Sequence, residues 1–147
     1  MSKHPPFPIF PLSPLPYDGQ GIPLLLSLCS CGFPSPAEDY VEDILDMNSL
    51  LVHNRPATFL AVAGGDSMQG AGIFGGDKII IDRSLAVTPG NVVVATVDGE
   101  ATVKRLVREK KRILLVPENP AYKPIDITRR DDVEFWGVVT YGLRKLY

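Results

Sequence analysis

The chain has 147 residues, of which 45% are hydrophobic and 22% charged, as expected of one globular domain with a sizeable core. The formal net charge of −2 argues against a protein whose main task is to neutralise nucleic-acid phosphates, although a charged protein partner stays possible. The two cysteines are too few for a disulfide framework, so we expect reduced thiols and a cytoplasmic protein.

Residues 1–31 are predicted to form an extended N-terminal arm. Seven of the 14 prolines of the chain lie in this segment, and they disfavour a helix. The apolar run at residues 22–29 is too short to span a bilayer, so we expect no membrane attachment. An extended arm that docks on a folded body can be removed without unfolding that body. The predicted units are therefore a removable arm at 1–31 and a body at 32–147.

The sequence LCSCGFPSP at residues 28–36 marks the change from arm to body. The pair Cys29 and Cys31 can be interpreted in three ways: as a lipid attachment site, as half of a metal site, or as a place where the chain is cut. Leu28 to Cys31 resembles a bacterial lipoprotein box, but the upstream region lacks the basic start and unbroken apolar stretch of an export signal. The local residues alone do not decide between half of a metal site and a chain cut.

A short helix is predicted after this boundary. Ser35 suits the N-cap, Pro36 the first helical position, and Glu38 completes a capping box. The apolar residues that follow fall on one helical face: Tyr40, Val41, Ile44 and Leu45. The sequence Asn54-Arg55-Pro56 ends any continuation.

The remainder is predicted to be mainly β structure. The strand candidates are TFLAVA (58–63), KIIID (78–82), NVVVATV (91–97), ATVKRLV (101–107), RILLVP (112–117) and VEFWGVVTYGL (133–143). Asp98-Gly99 between two of these strands predicts a tight hairpin turn.

Several kinds of chemistry are disfavoured by what the chain lacks. Its only histidines are His4 and His53, which gives no convincing Ser-His-Asp triad and too few soft ligands for a structural zinc site. The phosphate-loop pattern is also missing. We therefore expect no metal and no cofactor.

A serine and a lysine remain as candidate catalytic residues. Ser67 lies in the glycine-rich sequence GGDSM, where a sharp turn can expose a hydroxyl and point backbone N–H groups at one spot. Lys104 lies among apolar residues on a predicted strand, where burial would lower the pKa of its amine. Each residue alone fits an ordinary structural role, but together they form the parts of a Ser-Lys dyad.

Residues 64–82 and 97–106 resemble the LexA-type self-cleaving peptidase family, and within it the UmuD subfamily. The matching patterns are G-D-S-M followed by G-I and G-D, and then D-G-x-x-T-V-K-[RK]; Ser67 and Lys104 are 37 positions apart, as in the UmuD group. The sequence CGFPSPAEDYVE resembles the family's cleavage region, and VPENPAYKPI and FWGVV match its C-terminal half. The resemblance begins at about Leu25, and the proline-rich segment before it is longer than in the family pattern.

The resemblance implies a compact LexA-like or UmuD-like fold, a β-rich peptidase domain with a short N-terminal helix and an extended N-terminal arm. It implies that neutral Lys104 activates Ser67 and that the backbone amides of Ser67 and Met68 form the oxyanion hole. The implied cleavage site is the bond between Cys31 and Gly32. The cut can occur within one chain or between two chains.

The resemblance also implies partners in the SOS response. The protein would be a homodimer whose cleavage is stimulated by a RecA filament on single-stranded DNA. The trimmed homodimer would be a regulatory subunit of a UmuC-type, error-prone Y-family DNA polymerase in translesion synthesis and mutagenesis. No direct sequence-specific binding of DNA is expected. Two alternatives are a non-enzymatic polymerase-binding module with the peptidase fold, and a LexA-like repressor relative, for which the 31-residue arm is too short to hold a helix-turn-helix unit.

Overall fold

A computed structural model of the protein describes residues 9–11, 22–25 and 41–147, and these fall into two units. One unit contains Ile9–Pro11 and residues 54–147, and the other contains Ile22–Leu25 and residues 41–53. In the described residues, no helix has the length and hydropathy needed to cross a membrane.

The strands and the helix have the following bounds. In chain order the strands are β1 (Ile9–Pro11), β2 (Ile22–Leu25), β3 (Val41–Leu45), β4 (Thr58–Val62), β5 (Lys78–Asp82), β6 (Val92–Val97), β7 (Glu100–Glu109), β8 (Arg112–Val116), β9 (Ile125–Asp126) and β10 (Glu134–Leu143). The α-helix α1 spans Met47–Leu51, and short 3₁₀ turns span Arg55–Ala57 and Gln69–Ala71.

The larger unit is an antiparallel sheet with the strand order β1-β4-β5-β10-β6-β7-β8-β9. The mainly β prediction is confirmed, and each of the six predicted strands is present with its ends within a few residues. Strands β6 and β7 form the predicted hairpin. Its turn residues Asp98 (φ 51°) and Gly99 (φ 77°) adopt the left-handed conformation that a tight hairpin turn requires. This hairpin fixes the register that places Lys104 opposite Val93.

Two clusters of buried apolar side chains form the core, because successive strand residues point to opposite faces of the sheet. One cluster contains Ala61, Ala63, Met68, Ile73, Ile79, Ile81, Val94 and Trp136. The other contains Val93, Ala95, Val97, Leu106, Leu115 and Ile127. Met68, next to Ser67 in sequence, is only 3% exposed, so the core holds the turn that presents the serine.

The predicted helix is wrong over residues 41–45, which form strand β3 instead. This strand pairs with β2, with Ile22 opposite Leu45 and Pro23 opposite Ile44. The apolar, partly β-branched residues fit a strand as well as a helix, and pairing with a distant segment decides the outcome. The helix begins only at Met47, where the Asp46 side chain accepts a hydrogen bond from the Asn48 amide at 3.0 Å. Ser35, Pro36, Glu38 and Tyr40 lie outside the described residues.

The described parts of the arm are extended, as predicted. Strand β1 pairs with β4, with Ile9 opposite Ala61 and Pro11 opposite Phe59. Pro11 cannot donate a backbone hydrogen bond, which suits its place in an edge strand. The division into an arm at 1–31 and a body at 32–147 remains a prediction, because it rests on a chain cut.

Candidate active site

The Ser67 turn begins directly after the core strand β4. Gly65 has φ 74° and Gly72 has φ 81°, so glycine supplies the left-handed backbone at both ends of the turn. The base of the loop is closed by the Ala63 amide, which donates to Asp77 O at 2.8 Å, and by the Gly76 amide, which donates to Ala63 O at 2.8 Å. The buried side chain of Met68 anchors the turn, and the Ser67 side chain is partly exposed beside it.

Lys104 lies on β7, and the residue is 8% exposed. Strand β7 alternates in burial, so Lys104 and Leu106 share its buried face. Burial lowers the pKa of the Lys104 amine below the ordinary value for lysine, because the charged form loses hydration. The amine is therefore neutral in a larger fraction of molecules at any given pH than an exposed lysine.

The structure brings Ser67 and Lys104 together: Lys104 Nζ lies 3.0 Å from Ser67 Oγ. The same nitrogen lies 2.7 Å from Thr102 Oγ1 and 3.1 Å from Val103 O. A neutral amine has two N–H donors and one lone pair. It can donate to Thr102 Oγ1 and Val103 O and accept from the Ser67 hydroxyl, which satisfies all three contacts and points the hydroxyl proton at the amine.

Thr102 is a site residue that the sequence reasoning missed. It precedes Lys104 by two positions on a strand, and residues at that spacing share one face of the sheet. That spacing is the signal in the sequence that could have identified it.

A cleft of about 350 Å³ lies over the two side chains. Its lining residues are Ala61, Val62, Ala63, Gly64, Gly65, Ser67, Met68, Ile73, Ile79, Ala101, Thr102, Val103 and Lys104. Most of these are apolar and small, so a peptide backbone can approach Ser67 closely and water near Lys104 is restricted. The polar atoms of Ser67, Thr102 and Lys104 are concentrated at one place in this apolar wall.

The backbone amides of Ser67 and Met68 donate no hydrogen bond to any of the residues that the structure describes. The Ser67 carbonyl is occupied, since it accepts from the Glu118 amide at 2.8 Å. N–H groups that are unpaired among the described residues and lie beside a serine hydroxyl are of the kind that can stabilise a developing oxyanion.

Other predicted positions have different outcomes. Cys31 and Gly32, the predicted cleavage site, lie outside the described residues. Within the described part of the chain, no group of three or more His, Cys, Asp or Glu side chains is arranged to hold a metal ion.

Comparison with known proteins assigns the chain to a family. The model of the family described as Peptidase S24-like matches residues 23–140. Protein SamA of Salmonella typhimurium strain LT2 is 42% identical over 123 residues, which cover 84% of this chain and 85% of SamA. Protein ImpA of Escherichia coli is 37% identical over 136 residues, which cover 92% of each chain.

A LexA repressor is also similar. The repressor of Acidithiobacillus ferrooxidans is 39% identical over 127 residues, which cover 84% of this chain and 61% of the repressor. The family match spans most of the chain, and it includes both the Ser67 turn and Lys104. The chain therefore belongs to the Peptidase S24-like family of serine peptidases, as a UmuD-like member of the LexA-type group associated with SOS mutagenesis.

Proposed function

We propose that the protein is a self-cleaving serine peptidase that cuts its own chain between Cys31 and Gly32. Ser67 is the nucleophile and Lys104 is the general base. The observation that carries the proposal is the 3.0 Å separation between Ser67 Oγ and Lys104 Nζ in an apolar cleft.

The first half of the reaction forms an acyl-enzyme. Lys104 Nζ takes the proton of Ser67 as Oγ attacks the carbonyl carbon of Cys31. The negative charge that develops on the carbonyl oxygen accepts hydrogen bonds from the amides of Ser67 and Met68. When the tetrahedral intermediate collapses, the C–N bond breaks and Lys104 returns its proton to the nitrogen of Gly32, which leaves as a new N-terminus.

The second half releases the arm. Lys104, neutral again, takes a proton from a water molecule that attacks the ester carbon. The C–O bond to Ser67 then breaks, and the proton returns to Ser67 Oγ. The products are a chain that begins at Gly32 and a peptide that ends at Cys31. Burial lowers the pKa of the Lys104 amine and so increases the fraction of the neutral form that can act as the base.

Removal of the arm changes the exposed surface and leaves the net charge unchanged. Lys3 and Asp18 are the charged residues of segment 1–31, and they cancel, so the product keeps a net charge of −2. We propose that the trimmed chain acts as a homodimer in the cytoplasm and regulates a UmuC-type Y-family polymerase in translesion synthesis. A RecA filament on single-stranded DNA stimulates the cut, which occurs within a chain or between the two chains of the dimer.

The proposal is tested by incubating the purified full-length protein at a series of pH values from 7 to above 10 and following the products by mass spectrometry. We expect a fragment that begins at Gly32. Its rate of formation rises with pH and levels off with a midpoint below the ordinary pKa of lysine, about 10.4. Ser67→Ala and Lys104→Ala abolish the fragment, whereas Lys111→Ala, at an exposed lysine, leaves the rate unchanged.

Equal cleavage of Ser67→Ala would remove the dyad assignment. An intact wild-type chain at every pH, also in the presence of a RecA filament, would instead favour a non-enzymatic polymerase-binding module.

A further inference from the structure

Residues 117–122, here called the latch loop, hold the Ser67 turn through the backbone. The Glu118 amide donates to Ser67 O at 2.8 Å, and the Gly70 amide donates to Glu118 O at 2.7 Å. The backbone of Glu118 therefore holds the turn on both sides of Met68. The approach is close, because a Cβ at Gly70 would lie 2.7 Å from Glu118 O.

Two side chains of the latch loop hold Asp66, the residue before the serine. Asn119 Nδ2 donates to Asp66 O at 2.9 Å, and the Tyr122 hydroxyl donates to Asp66 Oδ1. The loop is also held internally, since Asn119 Oδ1 accepts from the Ala121 amide at 2.9 Å and Asn119 O accepts from the Tyr122 amide at 3.1 Å. It is thus an ordered support that reaches the turn at Asp66, Ser67 and Gly70.

The Glu118 side chain connects this support to the strand of the base. Its carboxylate accepts from Arg105 Nε at 2.5 Å. Arg105 follows Lys104 on β7, and its Nη1 donates to Gly90 O at 2.7 Å. Glu118 therefore joins the two halves of the site: its backbone bonds the residue with the nucleophile, and its carboxylate bonds the neighbour of the base.

We propose that Glu118 is a positioning residue that sets the distance between Ser67 Oγ and Lys104 Nζ. The inference deepens the proposed self-cleavage and rests on it. Ser67 lies in the loop between β4 and β5, and Lys104 lies on strand β7. The hydrogen bonds of the sheet fix the position of β7 but not that of the loop. A displacement of about 1 Å between reacting groups costs about 100-fold in rate, so a device that couples the two elements has a catalytic effect without touching the substrate.

A purely structural role for Glu118 predicts a different result. The Arg105 and Glu118 side chains are 35% and 31% exposed, and ion pairs with this exposure contribute little to global stability. Loss of the carboxylate would then lower the cleavage rate only in proportion to any loss of folded protein. The two roles are separated by measuring rate and folding in the same variants.

The experiment compares wild-type protein with Glu118→Ala, Glu118→Gln and the control Asp126→Ala. The control removes the carboxylate partner of Arg112, a 3.1 Å ion pair between β8 and β9 outside the Ser67 turn. Self-cleavage is measured against pH, thermal melts establish the folded fraction, and hydrogen exchange is followed for the amides of residues 66–72.

We expect Glu118→Ala to lower the plateau of the pH–rate profile by about 10- to 100-fold. The midpoint stays where it is, because Lys104 remains buried. Glu118→Gln restores most of the rate, since the amide oxygen still accepts from Arg105. Exchange at residues 66–72 becomes faster in Glu118→Ala, and Asp126→Ala changes neither quantity.

A Glu118→Ala plateau within about twofold of wild type, or an equal loss in Glu118→Gln, would overturn the positioning role. A wild-type chain that forms no Gly32 fragment would instead contradict the proposed function. In that case hydrogen exchange still tests whether Glu118 orders the Ser67 turn. Unchanged protection of residues 66–72 in Glu118→Ala would show that the carboxylate does not order this turn.

Discussion

Lys104 Nζ lies 3.0 Å from Ser67 Oγ, although 37 positions separate the two residues along the chain. The amine also contacts Thr102 Oγ1 and Val103 O. If the Ser67 hydroxyl donates to the lone pair of a neutral amine, the two N–H groups of the amine are left to donate to these two oxygens. These contacts accommodate a neutral amine, and burial lowers the pKa of Lys104, which increases the fraction of that form.

Thr102 should orient the base. In Thr102→Val the amine loses the acceptor at 2.7 Å, so its lone pair is aimed less well at Ser67 and the plateau rate of self-cleavage should fall by about 10-fold. Thr102 Oγ1 can also accept a hydrogen bond from the charged ammonium. Its loss therefore does not favour the charged form, and the midpoint of the pH profile should not rise. Thr102→Ser, which retains the hydroxyl, should restore the rate. A valine variant that cleaves like wild type throughout the pH range would contradict this role.

Lys104→Met should make the protein inactive and more stable. The folded protein holds Lys104 with a lowered pKa, so the unfolded chain binds more protons and the free energy of unfolding of the wild type rises with pH toward the ordinary pKa of lysine. Methionine removes the cost of burying the charge and should stabilise the fold at pH 7 by about 0.5–2 kcal/mol.

Denaturant titrations at several pH values check this prediction. The advantage of Lys104→Met should be largest near neutral pH and shrink as the pH approaches about 10.4. A methionine variant that is less stable than wild type at pH 7, or a difference independent of pH, would argue against a buried charge.

Gly70→Ala should damage the Ser67 turn. The added Cβ would meet Glu118 O at 2.7 Å, a backbone atom that can yield only if the latch loop moves. We expect a loss of about 1–3 kcal/mol in the free energy of unfolding, together with slower self-cleavage. Gly142→Ala is the matched control, because its Cβ meets nothing within 4 Å. Equal stability of the two variants would refute the close contact.

Asp77 and Arg144 should give the fold an acid-sensitive contact. Arg144 Nε and Nη2 donate to Asp77 at 2.8 and 2.6 Å, and the Phe74 amide donates at 2.8 Å, which lowers the pKa of Asp77 from 3.8 to about 2. A carboxylate with a lowered folded-state pKa stabilises the fold above its unfolded pKa. That contribution is lost as the pH falls through the folded value.

Asp77→Asn should therefore melt at a lower temperature than wild type at pH 7. The difference should close between about pH 4 and about pH 2, where the wild-type carboxylate takes up its proton. Thermal melts across this range provide the measurement. A gap of constant size would show that the charge of Asp77 contributes nothing.

The sequence predicts the central strands well because their signals are local. The run of isoleucines at 79–81 and the Asp98-Gly99 turn define strands and a hairpin without knowledge of their partners. The strands β1 and β9 have three and two residues, and they are strands only because a neighbouring strand pairs with them. Residues 41–45 likewise form a strand because they pair with the distant strand β2, which the local sequence pattern does not reveal. The helix predicted from that pattern is therefore wrong.

The sequence predicts the two candidate catalytic residues, but not the contacts that hold them in place. A serine framed by glycines and a lysine among valines indicate the dyad, and the family resemblance pairs them. Glu118 is more than 50 positions from Ser67, and nothing in its local sequence indicates a bond to that residue. Contacts of this kind are created by the fold and become visible only in three dimensions.

Strand β1 lies upstream of the proposed cut, yet it hydrogen-bonds to β4, which lies downstream. Hydrolysis between Cys31 and Gly32 would open the polymer without loosening this pairing. Cleavage and departure of the peptide are then separate steps: the proposed chemistry at Ser67 governs the first, and dissociation of β1 from β4 and of β2 from β3 governs the second. A cleaved peptide that stays bound would keep the edge of β4 covered. At high concentration, a free peptide would bind to that edge again.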